Sequence, residues 1–250
     1  MNRPTVDLNC DMGEGMTTDD AIYPFISSAN IACGGHAGDA DTMRRAVDAA
    51  LRYGVAIGAH PSYSDRAGFG RRELPHLRLN ELPELLTVQL AALQAVCREF
   101  GTTLHHVKPH GALYNRAAKD SVVGGIICQA IAGFDPSLLL YGLSGSVMRT
   151  AAEAAGLTFV SEVFADRAYR PDGSLVPRTE PDALIEAPGR ALAQVLGMLR
   201  QGTVETGDGP VTIVAETVCL HGDGSHAVEF AGAIHAALRR EGVRIAAPGK

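Results

Sequence analysis

The sequence predicts an α/β protein and, within that class, a (β/α) barrel. Three observations lead there. Strand-like and helix-like segments alternate from end to end, which implies parallel βαβ units. The 250 residues match the length that such barrels often use for one domain. Titratable residues end nearly every strand, and only a closed sheet lets ends so distant in sequence meet in one pocket. No low-complexity linker or shift of composition divides the chain, so residues 1–250 read as one domain.

Residues 5–10 (TVDLNC) open the series, with Val6, Leu8 and Cys10 alternating with Asp7, Asn9 and Asp11 at the two-residue period of a strand. A short helical pattern at 19–30 leads to a second strand at 30–35. The helix 39–54 follows, with Asp39 or Asp41 as its N-cap and Gly54 as its stop. A third strand at 55–60 runs into the glycine-rich loop 61–74, and Pro83 suits the first turn of the helix 81–101. Strand four is 103–111, followed by a helix at 120–134. Strand five at 137–145, a helix at 146–156 and strand six at 158–166 continue the rhythm. Beyond the long loop 167–183 come a helix at 187–202, strand seven at 211–223 and a helix at 226–242. Residues 243–248 (VRIAAP) are a candidate eighth strand.

The chemistry gathers where the strands end. Asp7, Asn9, Asp11 and Glu14 close the first, His36 and Asp39 the second, and His60 the third. His106, Lys108 and His110 share one face of the fourth; Glu162 and Asp166 close the sixth, His221 and Asp223 the seventh. A purely structural barrel would fill these layers with Val, Ile and Leu, because buried ionisable groups are costly unless they pair, bind a ligand or neutralise. Asp7 has a bland alternative, as a buried helper that holds a loop. Asp11 and Glu14 flank glycines on a turn and are placed for chemistry, while Gly34 and Gly35 permit close approach around His36.

An Asp11–His36–His60 set would suit zinc or another first-row metal, although spacing lends it little support. A metal-free site would use Lys108 as electrophile and a carboxylate or histidine as base. Cys33 and Cys219 read as inert structural thiols, and His76, His105, His226 and His235 as structural or solvated. Arg66, Arg71 and Arg72 form either a solvated loop or a lid that clamps an anion. No GxxxxGK[ST] loop occurs; the turn from Gly142 to Ser146 is a weak phosphate cradle at best. A net charge of −6 without a basic run argues against a nucleic-acid partner. Five cysteines without a CxxC pair, no leader pattern and no apolar stretch of membrane length point to the cytoplasm.

Six ordered motifs, DLNCDMGEG, NIACGGHAGD, GAHPSYSDRAGFGRR, HVKPHGALYN, EVFADRAY and CLHGD, resemble the LamB/YcsF family over about residues 5–223. The resemblance implies a seven-stranded barrel of the glycoside hydrolase/deacetylase type. It also implies work with 5-oxoprolinase subunits B and C to open 5-oxo-L-proline to L-glutamate, with ATP as co-substrate of the complex. On that footing Asp11, His36, Lys108 and His110 are the expected catalytic residues. Asp11 or His36 would activate water, and Lys108 and His110 would stabilise the oxyanion. Asp7, Asn9, Glu14, Asp39, His60, Tyr114 and Glu162 are the expected substrate-binding set, and a divalent metal on Asp11, His36 and His60 is a further candidate. An unstrained lactam needs coupling to open, for example through a phosphorylated lactam oxygen, and the turn at 144–146 or the arginine loop could receive the phosphate. Two readings of other classes stand beside this one. One is a metal-dependent amidase or deacetylase that acts alone on an N-acyl sugar. The other is a non-catalytic subunit that binds the lactam for its partners.

Overall fold

The two-residue period of the first strand sets the architecture. The computed structural model describes residues 4–221 and 227–249. In chain order the strands are β1 (Thr5–Met12), β2 (Ser28–Ala32), β3 (Ala56–His60), β4 (His106–Val107), β5 (Leu139–Leu143), β6 (Phe159–Phe164), β7 (Thr203–Thr206), β8 (Gly209–Thr212), β9 (Thr217–Leu220) and β10 (Arg244–Ile245). β1 sends Val6, Leu8, Cys10 and Met12 into the apolar core. Asp7, Asn9 and Asp11 face the other way, into a closed barrel. β1 pairs in parallel with β2 through Asn9 and Ser28, and with β9 through Asp7 and Thr217. β1 to β6 and β9 thereby form the expected ring of seven parallel strands.

The helices are α1 (Asp19–Ile22), α2 (Ala40–Tyr53), α3 (Leu82–Glu99), α4 (Gly111–Ala117), α5 (Ser121–Phe134), α6 (Met148–Ala154), α7 (Pro188–Gln201) and α8 (Ala227–Arg240). Leu82, Leu86, Leu90 and Leu93 recur at helical spacing along α3 and are buried in the core outside the barrel. α2 starts on a capping box, in which Asp39 accepts from the Thr42 backbone N–H, and stops at Gly54 in the left-handed region. Among the described residues no helix is long and apolar enough to cross a membrane.

Four segments differ from the pattern-based expectation, each for a local reason. Tyr23–Phe25, with Pro24, is a 3₁₀ turn, so the 19–30 pattern holds one short α-helix and β2 begins at Ser28. β4 is only two residues long because Pro109 has no N–H to extend the ladder; α4, too short to show helical periodicity, follows at Gly111. Residues 211–223 divide. Val211 and Thr212 belong to an antiparallel hairpin of β7 and β8 turned by Gly207 and Asp208, and only Thr217–Leu220 joins the ring. β10 is a strand, but it pairs with Thr5 and Val6 below the point where β2 and β9 engage β1, and so stays outside the ring. Asp223 and His226 lie outside the described residues.

Inside the barrel the His106 ring packs so closely against Gly58 that a Cβ there would overlap the imidazole. Gly58→Ala is expected to lower the unfolding free energy by about 1–3 kcal/mol through overpacking. Urea denaturation reads this directly, and an unchanged midpoint would contradict it.

Candidate active site

A column of hydrogen bonds rises through the barrel along the polar face of β1. At its foot Asp7 accepts from Ser27 Oγ (2.5 Å), Ser28 Oγ (2.8 Å) and Thr217 Oγ1 (2.6 Å). Burial pushes the Asp7 carboxyl up, against these donors. Asn9 Nδ2 donates to Thr217 Oγ1 (2.7 Å) and Glu162 Oε1 (3.0 Å). Asn30 Nδ2 then bridges Asn9 Oδ1 and Asp11 Oδ1, each at 2.8 Å.

At the top of the column Lys108 Nζ lies 2.9 Å from both Asp11 Oδ1 and Glu162 Oε1, and 3.2 Å from Asn9 Oδ1. Burial opposes the ammonium charge, but the carboxylates, Asp11 foremost, outweigh it and hold Lys108 above the usual lysine range. Asp11 is held well below the usual carboxylate range: burial would raise it, and His60 and Lys108 prevail. Cys219 Sγ is 3.2 Å from Lys108 Nζ, yet burial pushes its thiol well up, so it stays protonated.

Beside this pair three imidazoles converge. His36 Nδ1 donates to Ser62 Oγ (2.9 Å), whose own proton goes to the Tyr63 carbonyl. His60 Nδ1 donates to the Lys108 carbonyl (2.7 Å), and His110 Nε2 to the Phe69 carbonyl (2.9 Å). Each outer nitrogen therefore carries a ring proton, and the inner nitrogens face one another. His110 Nδ1 is 2.9 Å from His60 Nε2, and His36 Nε2 is 2.8 Å from Glu14 Oε1. The His36 and His110 rings stack 3.7 Å apart. Burial first, then the neighbouring His60, pulls the His36 pKa down to about 3 and that of His110 down as well. One donor atom from each of Glu14, His36, His60 and His110 lies within 4.8 Å of the others. With Glu14 in place of the expected Asp11, the three imidazoles could hold a metal ion. Gly35 makes the arrangement possible, since a Cβ there would meet Ser62 Oγ at 2.5 Å. Phe69, held at φ +53°, is a strained residue that aims its carbonyl at His110.

The pocket above has a volume of about 440 Å³, in the range of small-molecule sites. Asp11, Glu14, His60 and Lys108 line its floor, Tyr114 of α4 one wall, and the loop after β6 another. His221, at the end of β9, reaches the pocket with its Nδ1 2.8 and 2.7 Å from the two Asp166 oxygens. Its ring stacks on Phe164.

Residues 6–250 match the model of the LamB/YcsF family. The chain belongs to that family. The LamB/YcsF chain is 52% identical to the 5-oxoprolinase A subunit of Bordetella pertussis, over 98% of this chain and 99% of that one. The lactam utilization protein of Thermus thermophilus, a solved structure, superposes with a TM-score of 0.90 at 42% identity, covering 97% of this chain and 99% of that one. The peptidoglycan deacetylase PdaC of Bacillus subtilis shares the fold alone, at a TM-score of 0.50 and 12% identity over 98% of this chain and 88% of that one.

Most of the residues singled out in the LamB/YcsF sequence come together. Asp11, Glu14, His60, Lys108, His110 and Tyr114 line the pocket. His36 stands just behind Glu14, and Asn9 and Glu162 brace Lys108 from below. Asp7 lies at the foot of the column and does not line the pocket, in keeping with its alternative role as a buried helper. Asp39 is an exposed helix cap remote from the lining. The expected role of His110 as an oxyanion donor does not fit, because its one ring proton goes to Phe69. In the arginine loop only Arg71 reaches the pocket: Arg66 bonds the Gly34 and Gly38 carbonyls and Arg72 pairs with Asp65. The turn at 144–146 is also outside the lining; Ser144 Oγ accepts from Val214 N instead. His221, Asp166, Arg167 and Arg178 had no assigned role, and their only signal was a place at a strand end or in a long loop.

Two outcomes follow from this placement. Asp39→Ala is expected to cost about 0.5–2 kcal/mol of stability while ligand binding in the pocket is unchanged, both readable by calorimetry. In metal-free protein, unfolded histidines take up protons below about pH 6.5 that the folded His36 and His110 refuse until far lower pH. Stability is therefore full above that pH and falls as the solution is acidified towards about pH 3. Replacing both rings by Gln should flatten this slope in denaturation curves taken across the range; an identical slope would remove them as its cause.

Proposed function

We propose that this chain is the lactam-opening component of an ATP-dependent 5-oxoprolinase, working with subunits B and C in the cytoplasm to convert 5-oxo-L-proline to L-glutamate. One observation carries the reading: the near-full-length relative at 52% identity is named as the A subunit of 5-oxoprolinase. The chemistry of the barrel mouth supports it. Opening the lactam adds water to the ring carbonyl carbon, breaks the ring C–N bond and delivers a proton to the departing nitrogen. Lys108 stays charged and faces the pocket, where it stabilises an oxygen that becomes anionic. Asp166 holds the Nδ1 proton of His221, which leaves Nε2 to carry a proton between water and the ring nitrogen. Asn9, Asn30 and Glu162 fix Asp11 and Lys108 so that neither must reorient during the reaction.

Glu14, His36, His60 and His110 would hold a divalent cation, which when bound polarises a carbonyl or acidifies a water. The chain has no Walker-type loop, which fits partner subunits that handle ATP and activate the otherwise unreactive amide. A second reading, an amidase that acts alone, is favoured by the imidazole cluster. ATP-independent turnover lost on chelation would select it.

The test is consumption of 5-oxo-L-proline by the chain alone and with its partner subunits, with and without ATP. Turnover is expected only in the complete mixture. Lys108→Gln should lower that turnover by about 100-fold or more, the scale of a lost oxyanion-stabilising group. Near wild-type rates in the variant complex would remove Lys108 from the mechanism.

A further inference from the structure

The pocket offers more than the proposed hydrolysis uses. Arg71, Lys119, Arg167 and Arg178 all line it, in a chain whose net charge is −6. Arg167 is the most telling of them, because it is only 7% exposed. Its Nη2 donates to the Val176 carbonyl, which anchors the guanidinium to the loop after β6. Its Nε is buried and has no acceptor among the described residues. A buried guanidinium with an unpaired donor costs free energy, and an anion near it offsets part of its charge. Asp166 opposes part of the Arg167 charge while its two oxygens lie 2.8 and 2.7 Å from His221 Nδ1. Arg178 adds a second positive charge close to Arg167, and burial with this neighbour pulls the Arg167 pKa below the usual arginine range. Two guanidiniums in the lining of one pocket draw an anion to it.

We infer that Arg167 and Arg178, faced by Lys119 of the segment after α4, form an oxyanion subsite that binds a carboxylate or phosphoryl group of the substrate. Tying that anion to a lactam rests on the proposed function; the cationic cluster itself does not. In 5-oxo-L-proline the carboxylate-bearing carbon and the lactam carbonyl carbon flank the ring nitrogen on its two sides, so the two groups diverge. Anchoring that carboxylate at Arg167 would present the carbonyl to Lys108. A phosphorylated lactam oxygen is the other source of an anion, and guanidiniums suit both.

Isothermal titration of the full chain separates the sources with three probes: 5-oxo-L-proline, 2-pyrrolidone (the same ring without the carboxylate) and inorganic phosphate. At least one anionic probe should bind, and Arg167→Gln should weaken it by about tenfold or more, the scale of a charge-assisted hydrogen bond. If 5-oxo-L-proline loses affinity and 2-pyrrolidone binds weakly throughout, the anion is the carboxylate. If phosphate alone loses affinity, it is the phosphoryl group. Arg178→Gln, at a half-buried position, repeats the test should the Arg167 variant fail to fold, with the thermal midpoint as control. Equal anion affinity in wild type and both variants, or no anion binding by the wild type, overturns the subsite. The two proposals fail separately. Turnover of 5-oxo-L-proline by the assembled complex with no Arg167 dependence removes the subsite and keeps the function. Arg167-dependent phosphate binding without such turnover does the reverse.

Discussion

Charge buried inside a barrel must be met by partners, and this requirement organises much of the molecule. An unpaired carboxylate or ammonium in a dry interior costs more than a domain can sustain. The two-residue period of β1 places Asp7, Asn9 and Asp11 in successive layers, so each layer has to supply its own partners. Asp7 takes three hydroxyl donors, Asn9 relays between Thr217 and Glu162, and Asp11 takes Lys108, Asn30 and His60. By the time the column reaches the mouth, the ammonium of Lys108 is held from several sides and needs no reorganisation to act.

The imidazole cluster obeys the same rule by another route. Three rings from three different strand ends could not share a small space if all were charged, and burial keeps His36 and His110 neutral. Their outer nitrogens are bound to Ser62 and to the carbonyls of Lys108 and Phe69, so the other ring nitrogens point inward. Glycine at position 35 and the left-handed backbone of Phe69 are the local costs of that orientation. The pocket that results is lined by carboxylates, imidazoles, an ammonium and guanidiniums together.

Much of this was legible from residue patterns. The alternation of segments pointed to a parallel α/β barrel, the spacing in 39–54 to a capped helix, and the strand ends to most of the residues that meet in or just beneath the pocket. Pattern failed where a few residues override periodicity. Pro109 cut β4 short, and a helix of one or two turns after it shows no period. Asp39 looked like Asp11 in composition, yet its neighbour Thr42 makes it a cap. His110 lines the pocket, but the partner of its outer nitrogen is a backbone carbonyl 41 residues away in the chain, which no local pattern encodes.

The division follows from what each kind of information can carry. Residue order alone determined which side chains share a face, since period two and period 3.6 are properties of the local backbone, and therefore that carboxylates, imidazoles and an amine line one rim. Only the tertiary structure decided which of them touch. Hydrogen-bond direction, tautomer and the choice of ion-pair partner depend on distances between atoms far apart in the chain, as between Asp7 and Thr217, 210 residues on. Those distances exist only once the ring of strands has closed.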